Sequence, residues 1–191
     1  MTVRSMTIGA SVVSCALLMT AAPLRGQAPR EVFTATATVK MADGRSGSAP
    51  VTITINRVMS KDEAEPLVTA FRTGGATALR KSLVGVPTTG SVRVGDGKVT
   101  PTRFTIEREV GGGRLLTIVT DQPLVFIGAA AAGAKPKTGY DFGVIDIQVD
   151  AAGTGSGTIA PAATLKLNQT ALVVEDYSGE VVRLTAVKKA Q

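Results

Sequence analysis

The stretch VFTATATVKMADGRSGSAPVTITINR, residues 32–57, decides the fold class of this chain. It contains two runs, VFTATATVK at 32–40 and VTITINR at 51–57, in which apolar residues alternate with polar ones. A period of two places the apolar side chains on one face of a β-strand and the threonines on the other. Because the turn signal Asp43-Gly44 separates the runs, we predict a β-hairpin with a threonine-rich outer face.

The sequence period changes directly after this hairpin. SKDEAEPLVTAF, residues 60–71, has apolar residues at helical spacing. Either Ser60 or Asp62 can cap the helix, and each has a glutamate three residues later. The glycine pair at 74–75 ends this helix, and ATALRKSL at 76–83 predicts a shorter second one, so we expect a helical hairpin.

From residue 90 onward, short apolar runs are separated by glycine-rich turns. The turns are GDG at 95–97, GGG at 111–113, AAGTGSG at 151–157 and SG at 178–179. The continuous apolar run PLVFIG at 123–128 predicts a central strand, and Pro161 predicts an edge or a bulge. We therefore predict a β-rich α+β domain. Its antiparallel, curved sheet, a sandwich or barrel of about eight to ten strands, packs against one helical hairpin.

The first 28 residues have the pattern of an export signal. Arg4 supplies a positive charge, an apolar run follows, and small residues up to Ala28 suit cleavage. We predict a signal peptide over 1–28 and a single β-rich domain over 29–191, located in the periplasm or outside the cell. A retained leader, or acylation of Cys15 in the string VVSC, would instead hold the protein at a membrane.

The composition excludes several chemistries. The chain has no histidine, and its single cysteine, Cys15, lies in the leader. The domain therefore lacks disulfides, a Ser-His-Asp triad and the usual zinc ligands, and we predict no metal and no cofactor. Without Arg4 and Arg25, 19 of the 21 basic residues remain against 15 acidic ones, a net charge of +4. These basic residues are scattered, which argues against a nucleic-acid partner.

A hydrolase would have to use carboxylate or serine–lysine chemistry. Asp146 and Asp150 share the polar face of one predicted strand, with Gln148 between them. This alternation favours a solvated outer face over two carboxylates that meet across a cleft.

The connection VFIGAAAAGAKPKTGYDF, residues 125–142, favours a surface joint between strands. The alternative is a recognition loop, in which lysines meet an anionic group and the next strand begins with a tyrosine and an aspartate. The glycine turn at 111–113 could also offer backbone donors to an anion. The candidate binding residues are Lys135, Lys137, Tyr140, Asp141 and Arg114, and no residue is assigned a catalytic role.

Three segments resemble a family of small exported bacterial proteins without an assigned activity. They are GGGRLLTIVTDQPLVFIGA at 111–129, AKPKTGYDFGVIDIQVDAAGTGSGTIAPAATLKL at 134–167 and VVEDYSGEVVRLTAV at 173–187. The resemblance implies a single exported domain built from these strands. It implies no ligand, cofactor or catalytic residue.

The sequence favours a non-enzymatic exported domain that binds a protein, an envelope polymer or a ligand through its surface. The second hypothesis is a carrier of a small hydrophobic ligand inside a barrel-like cavity, and the third is a hydrolase without histidine or cysteine. The small residues Ala35, Ala37 and Ala186, expected to point inward, would permit a cavity, although close packing is favoured. An apolar pocket of about 300 Å³ or more, open at one end, would favour the carrier.

Overall fold

The computed structural model describes residues 30–40, 44, 46–125, 139–168, 171–177 and 181–190. The predicted signal peptide, 1–28, lies outside these residues. The elements are β1 (Glu31–Lys40), β2 (Ser46–Ile55), α1 (Lys61–Val84), β3 (Gly90–Val94), β4 (Thr100–Thr102), β5 (Phe104–Val110), β6 (Gly113–Val119), β7 (Phe142–Asp150), β8 (Thr154–Asn168), β9 (Ala171–Tyr177) and β10 (Val182–Lys189). No helix in this described part is long and apolar enough to cross a membrane.

The predicted first hairpin is confirmed. β1 and β2 pair without interruption, from Glu31 opposite Ile55 to Lys40 opposite Ser46. From Phe33 to Val39 and from Val51 to Ile55 the apolar residues are buried, while the threonines between them are exposed or half-buried. The alternation in the sequence is therefore the alternation between the inside and the outside of the sheet.

The sheet closes almost completely into a barrel. Its strands are all antiparallel and follow the order β4-β3-β2-β1-β10-β8-β7-β6-β5, with β9 beside β8. β4 and β5 are separated by Arg103 alone, so one stretch of chain pairs first with β3 and then with β6. The amide of Met59, beyond β2, donates to the carbonyl of Thr105 at 2.8 Å and joins the two sides of the seam. Of the predicted sandwich or barrel, the structure forms the barrel.

Buried threonines satisfy one another at this seam. The hydroxyl of Thr89 lies 3.1 Å from that of Thr102 and 2.8 Å from that of Thr105. All three residues are at most 1% exposed. Buried hydroxyls without partners are costly, so the three-way contact lets polar residues sit where the barrel closes.

The inside of the barrel is filled by apolar side chains. One cross-strand row runs from Ile118 through Ile145 and Ile159 to Val182. The alanines of β1 belong to the same buried cluster as these larger residues. Small and large side chains that alternate can fill a narrow barrel. The interior is therefore closely packed, as expected.

The helix packs on the outer wall of the barrel and forms a second core. The next cross-strand row, Phe104, Val119, Val144 and Ala160, faces outward and is buried. It clusters with the apolar side of α1, which contributes Leu67, Leu79 and Leu83. The helix therefore covers one face of the curved sheet.

The predicted helical hairpin is instead one helix with a kink. Ser60 caps it in a capping box, because its hydroxyl accepts from the amide of Glu63 at 3.2 Å and its own amide donates to the Glu63 carboxylate at 2.9 Å. Gly75 interrupts the helix with φ 63° and ψ −158°, a conformation that glycine adopts readily. The two helical halves on either side of Gly75 continue as α1, so the break lies where the sequence predicts it but produces a kink.

Two strand predictions after residue 120 are corrected by the structure. Of the run 123–128, the described residues 123–125 form no strand. The two runs beside the predicted turn at 178–179, β9 and β10, pair in succession with the long strand β8 rather than with each other. Near Pro161 the register of β8 against β7 shifts, so the predicted bulge is confirmed. Proline lacks a ladder donor, which suits a point where β8 exchanges one partner for the next.

Candidate functional site: the two mouths of the barrel

The barrel has two mouths of different chemistry. We call the end where β1 begins and β10 ends the lower mouth, and the opposite end the upper mouth. β6 runs from the lower mouth, where Arg114 lies, to the upper mouth, where residues 122–125 follow it. The inward side of each strand therefore ends in a different group of side chains at each mouth.

Four charged side chains close the lower mouth. Nη2 of Arg114 donates to both carboxylate oxygens of Glu31 at 2.8 Å, and Nη1 donates to Glu107 at 3.0 Å. Nζ of Lys189 donates to Glu31 at 2.6 Å. The Arg114 guanidinium lies 5.9 Å from the centre of the Phe33 ring, which is fully buried. We call Glu31, Glu107, Arg114 and Lys189 the ion-pair plug.

The plug holds its charges in the ionised form. Burial alone raises the pKa of Glu31, but the hydrogen bonds and positive charges of Arg114 and Lys189 outweigh it, so the pKa is lowered. The hydrogen bond to Glu31 raises the pKa of Arg114. At neutral pH the group is thus a neutralised set of two acids and two bases over the apolar interior.

An open groove of about 640 Å³ lies outside the plug. The turns 111–112 and 151–153 form its walls, and Glu109 and Asp150 add two acids to it. Carboxylates therefore outnumber cations here, which disfavours the binding of an anion by Arg114. Hydrogen bonds from Thr154 lower the pKa of Asp150 as well. A glycosidase needs one carboxylic acid with a raised pKa, so that it keeps its proton. The pKa values of Glu31 and Asp150 are both lowered, which is the opposite.

The upper mouth holds an apolar cavity of about 510 Å³. Its apolar lining comes from Ala49, Val92, Val94, Pro123, Leu124 and Val125. Polar groups lie at its edges, among them Lys98, Thr100 and Gln122. Leu124 is buried within the barrel core, whereas Val125 is 74% exposed. The cavity thus joins the apolar interior to the outside.

Two local devices shape this cavity. The turn between β3 and β4 is drawn toward β2, because the amide of Gly95 donates to the carbonyl of Pro50 at 2.7 Å. On the other side, the amide of Leu124 donates to the carbonyl of Pro161 at 2.7 Å. A Cβ on Gly143 would lie 2.6 Å from Leu124, so only glycine allows this approach.

The structure describes three of the sequence-predicted binding residues and places Arg114 at the opposite end of the barrel from Tyr140 and Asp141. Arg114 belongs to the plug at the lower mouth. Tyr140 and Asp141 precede β7 toward the upper mouth, where the Tyr140 hydroxyl donates to Asp176 at 2.5 Å and Arg80 pairs with Asp141 at 3.2 Å. The hydrogen bond to Asp176 raises the pKa of Tyr140. The other two predicted residues, Lys135 and Lys137, lie outside the described residues.

Two residues differ from their expected surroundings. Asp146 is on the outer face but half-buried, and Thr117 donates to it at 2.6 Å. Burial raises its pKa against the opposing effects of Thr117 and Arg108. Ala186, expected to point inward, is exposed at a bulge of β10 with φ 50°. Alternation fails at Ala186, because the bulge inserts a residue. It holds at Asp146, whose outward side chain is partly buried beside Thr117 of the neighbouring strand.

The partners of Arg114 at the lower mouth and the lining of the upper mouth were missed by sequence reasoning. Glu31 and Lys189 are each two residues from an inward apolar residue, Phe33 and Val187, so an inward charge at a strand end was the available signal. No sequence pattern indicated the apolar cavity, because the cavity depends on where residues 122–125, which follow β6, cross the upper mouth.

No three His, Cys, Asp or Glu side chains within the described ranges are grouped so that they could hold a metal ion. Comparison of the chain with protein-family models, curated proteins and solved structures finds no match.

Proposed function

We propose that this protein is an exported, non-enzymatic binding domain that takes up a small, largely apolar molecule at the upper mouth of its barrel. The observation that supports this function is the apolar cavity of about 510 Å³ at that mouth. Pockets for small molecules have volumes of about 300–1,000 Å³ and combine apolar walls with a few polar groups. The proposal places the domain in the periplasm or outside the cell, after removal of residues 1–28.

The filled interior favours a ligand that sits in the mouth. The side chains of the barrel interior form one continuous buried cluster, to which Leu124 of the cavity belongs. The proposal therefore combines the surface-binding and carrier hypotheses: the ligand binds in an apolar cavity, but at the end of the barrel instead of inside it. An apolar ligand there would cover Val94 and Val125, which are otherwise partly in contact with water.

The polar edge suggests how a ligand would be oriented. Thr100 and Gln122 offer neutral hydrogen-bonding groups, Lys98 offers a positive charge, and Asp96 offers a negative one. A molecule with an apolar body and one polar end would fit both parts of the cavity. The apolar body would supply most of the affinity, since its transfer from water is the main favourable contribution.

The neutral apolar fluorophore N-phenyl-1-naphthylamine tests this function. We expect saturable fluorescence enhancement with the wild-type domain and at least about tenfold weaker binding by Val94→Glu, because a buried unpaired charge is costly. Val84→Glu is the matched control, since Val84 is 63% exposed at the end of α1, away from the cavity. Equal binding by Val94→Glu and the wild type, with unchanged melting temperatures, would refute the proposal.

Native mass spectrometry of the protein purified from its own host provides a second test. A retained molecule of small mass, released by denaturation, is the expected result. The same spectrum reports whether residues 1–28 have been removed and whether Cys15 carries a lipid. A mature chain that retains the leader would contradict the proposed location but not the binding site.

A further inference from the structure

The outer side of β3, β2, β1 and β10 is rich in hydroxyl groups. Thr34, Thr36 and Thr38 follow one another along β1, and Thr52 and Thr54 lie beside them on β2. Among the outward-facing residues of these four strands that the structure describes, none is acidic and none is aromatic. We call this surface the threonine face.

Exposed cations surround the threonines in regular positions. One row crosses the four strands from Arg93 through Thr52 and Thr34 to Lys188. Adjacent strands are about 4.8 Å apart, so the two cations of this row are about 14 Å apart at the backbone. A second row places Arg183 beside Thr38, four residues further along β1, which corresponds to about 13 Å.

These cations have no ionic partner among the residues that the structure describes. Arg93, Arg183 and Lys188 are exposed and form no ion pair with any residue in the described ranges. Several other cations, such as Arg114 and Arg103, are paired with carboxylates. Lys40, at the end of β1, adds a fourth exposed positive charge to the same side. Among the acids of the strands, Glu107 and Glu109 belong to the lower mouth, Asp146 faces outward on β7, and the exposed Glu175 and Asp176 are on β9.

We propose that the threonine face binds an anionic polysaccharide, a glycan chain with anionic groups spaced along its length. The cations would pair with the anionic groups, and the threonine hydroxyls between them can donate to or accept from sugar hydroxyls. Cations separated by about 13–14 Å, one pair across the strands and one pair along them, suit a chain that makes several weak contacts. This surface is separate from the apolar cavity and does not depend on the function proposed for it.

The composition of the face favours a glycan over other anionic partners. Binding of single-stranded nucleic acid uses aromatic side chains on which bases stack, and the described part of this face has none. A membrane surface would call for apolar residues that enter the lipid, whereas the side chains here are mainly threonine and serine.

The test compares two variants with the same change in net charge. The face variant carries Arg93→Gln, Arg183→Gln and Lys188→Gln, and the control carries Lys61→Gln, Arg72→Gln and Lys81→Gln on exposed positions of α1. Binding of heparin is measured by calorimetry at low and at physiological salt, with uncharged dextran as a polymer without anionic groups. All replaced side chains are exposed, so unchanged melting temperatures are expected.

We expect the wild type to bind heparin, with affinity that falls as salt rises, and not to bind dextran. The face variant should bind at least about tenfold more weakly, the cost of one to two charge-assisted contacts, and the α1 control within about twofold of the wild type. Equal losses in both variants would attribute binding to net charge alone and overturn the proposal. Tighter binding of a DNA duplex than of heparin would also overturn it.

The fluorophore separates this inference from the proposed function. The face variant should bind N-phenyl-1-naphthylamine as the wild type does, because none of its three positions lines the cavity. Val94→Glu should bind heparin with unchanged affinity.

Discussion

The two mouths of this barrel differ in what lies between the apolar interior and water. At the lower mouth, Arg114 and its carboxylate partners lie over Phe33 and exclude water with a neutralised set of charges. At the upper mouth, Leu124 and Val94 line an apolar cavity that is left open.

This difference supports the proposal that a ligand enters at the upper mouth. A guest at the lower mouth would have to displace hydrogen bonds of 2.6–3.0 Å between charged groups. Charge-assisted hydrogen bonds are strong, and breaking them leaves partly buried charges without partners. A guest at the upper mouth displaces only water from apolar side chains, which is favourable.

The largest expected effect comes from replacing Phe33, the buried residue below the plug, and is compared with replacing Val94 at the upper mouth. Phe33→Ala should lower the free energy of unfolding by about 3–5 kcal/mol, because it leaves a cavity below the plug and removes the ring beneath Arg114. Val94→Ala at the half-buried edge of the upper mouth should lower it by about 1 kcal/mol. Urea unfolding measures both. Equal losses would mean that the upper mouth is packed as tightly as the lower one.

The second prediction tests the plug through its pH dependence. The pKa of Glu31 is lowered from the ordinary value of 4.5, so its contribution to stability is complete above that value and is lost as the pH falls through the lower, folded value. Glu31→Gln should therefore cost about 1–2 kcal/mol at pH 7 and progressively less as the pH falls below about 4.

Thermal unfolding between pH 7 and pH 2.5 checks this prediction. Glu109→Gln serves as the control, because Glu109 lines the same groove and forms no ion pair with a residue that the structure describes. A constant difference between Glu31→Gln and the wild type at all pH values would show that the plug does not act through ionised Glu31.

The smallest expected effect concerns the bulge that directs β10 into the plug. Ala186→Gly should stabilise the protein by about 0.5–1 kcal/mol, because alanine with φ 50° is strained and glycine is not. Thr185→Gly, at the neighbouring position, should destabilise it by a similar amount. Differential scanning calorimetry distinguishes the two outcomes. A loss of stability in Ala186→Gly would mean that the bulge is not strained.

Sequence reasoning correctly predicted the elements that local patterns specify. The alternation along β1 and β2, the capping spacing at Ser60 and the glycine turn before Arg114 all correspond to observed local structure. It failed where one local signal had two structural outcomes. Gly75 permits either a chain reversal or a kink, and the strands beside the turn at 178–179 can pair with each other or with a third strand.

The candidate site was less predictable than the fold. Arg114 was identified by its glycine turn, but its partner Glu31 comes from a strand 83 residues away in the sequence. The bulge near Ala186 restores the inward direction of Val187 and Lys189 and gives no signal in the residue pattern. Contacts of this kind depend on strand order, and strand order is decided by the closure of the whole sheet.

By itself, the sequence determined that this chain forms antiparallel strands with a hydroxyl-rich outer face and one amphipathic helix, because side-chain periodicity is a local property of the backbone. Only the tertiary structure decided that the sheet closes, that acids and bases meet at one mouth, and that apolar residues from distant segments line the other. These outcomes depend on the register and stagger of the strands around the barrel, which no short stretch of residues encodes.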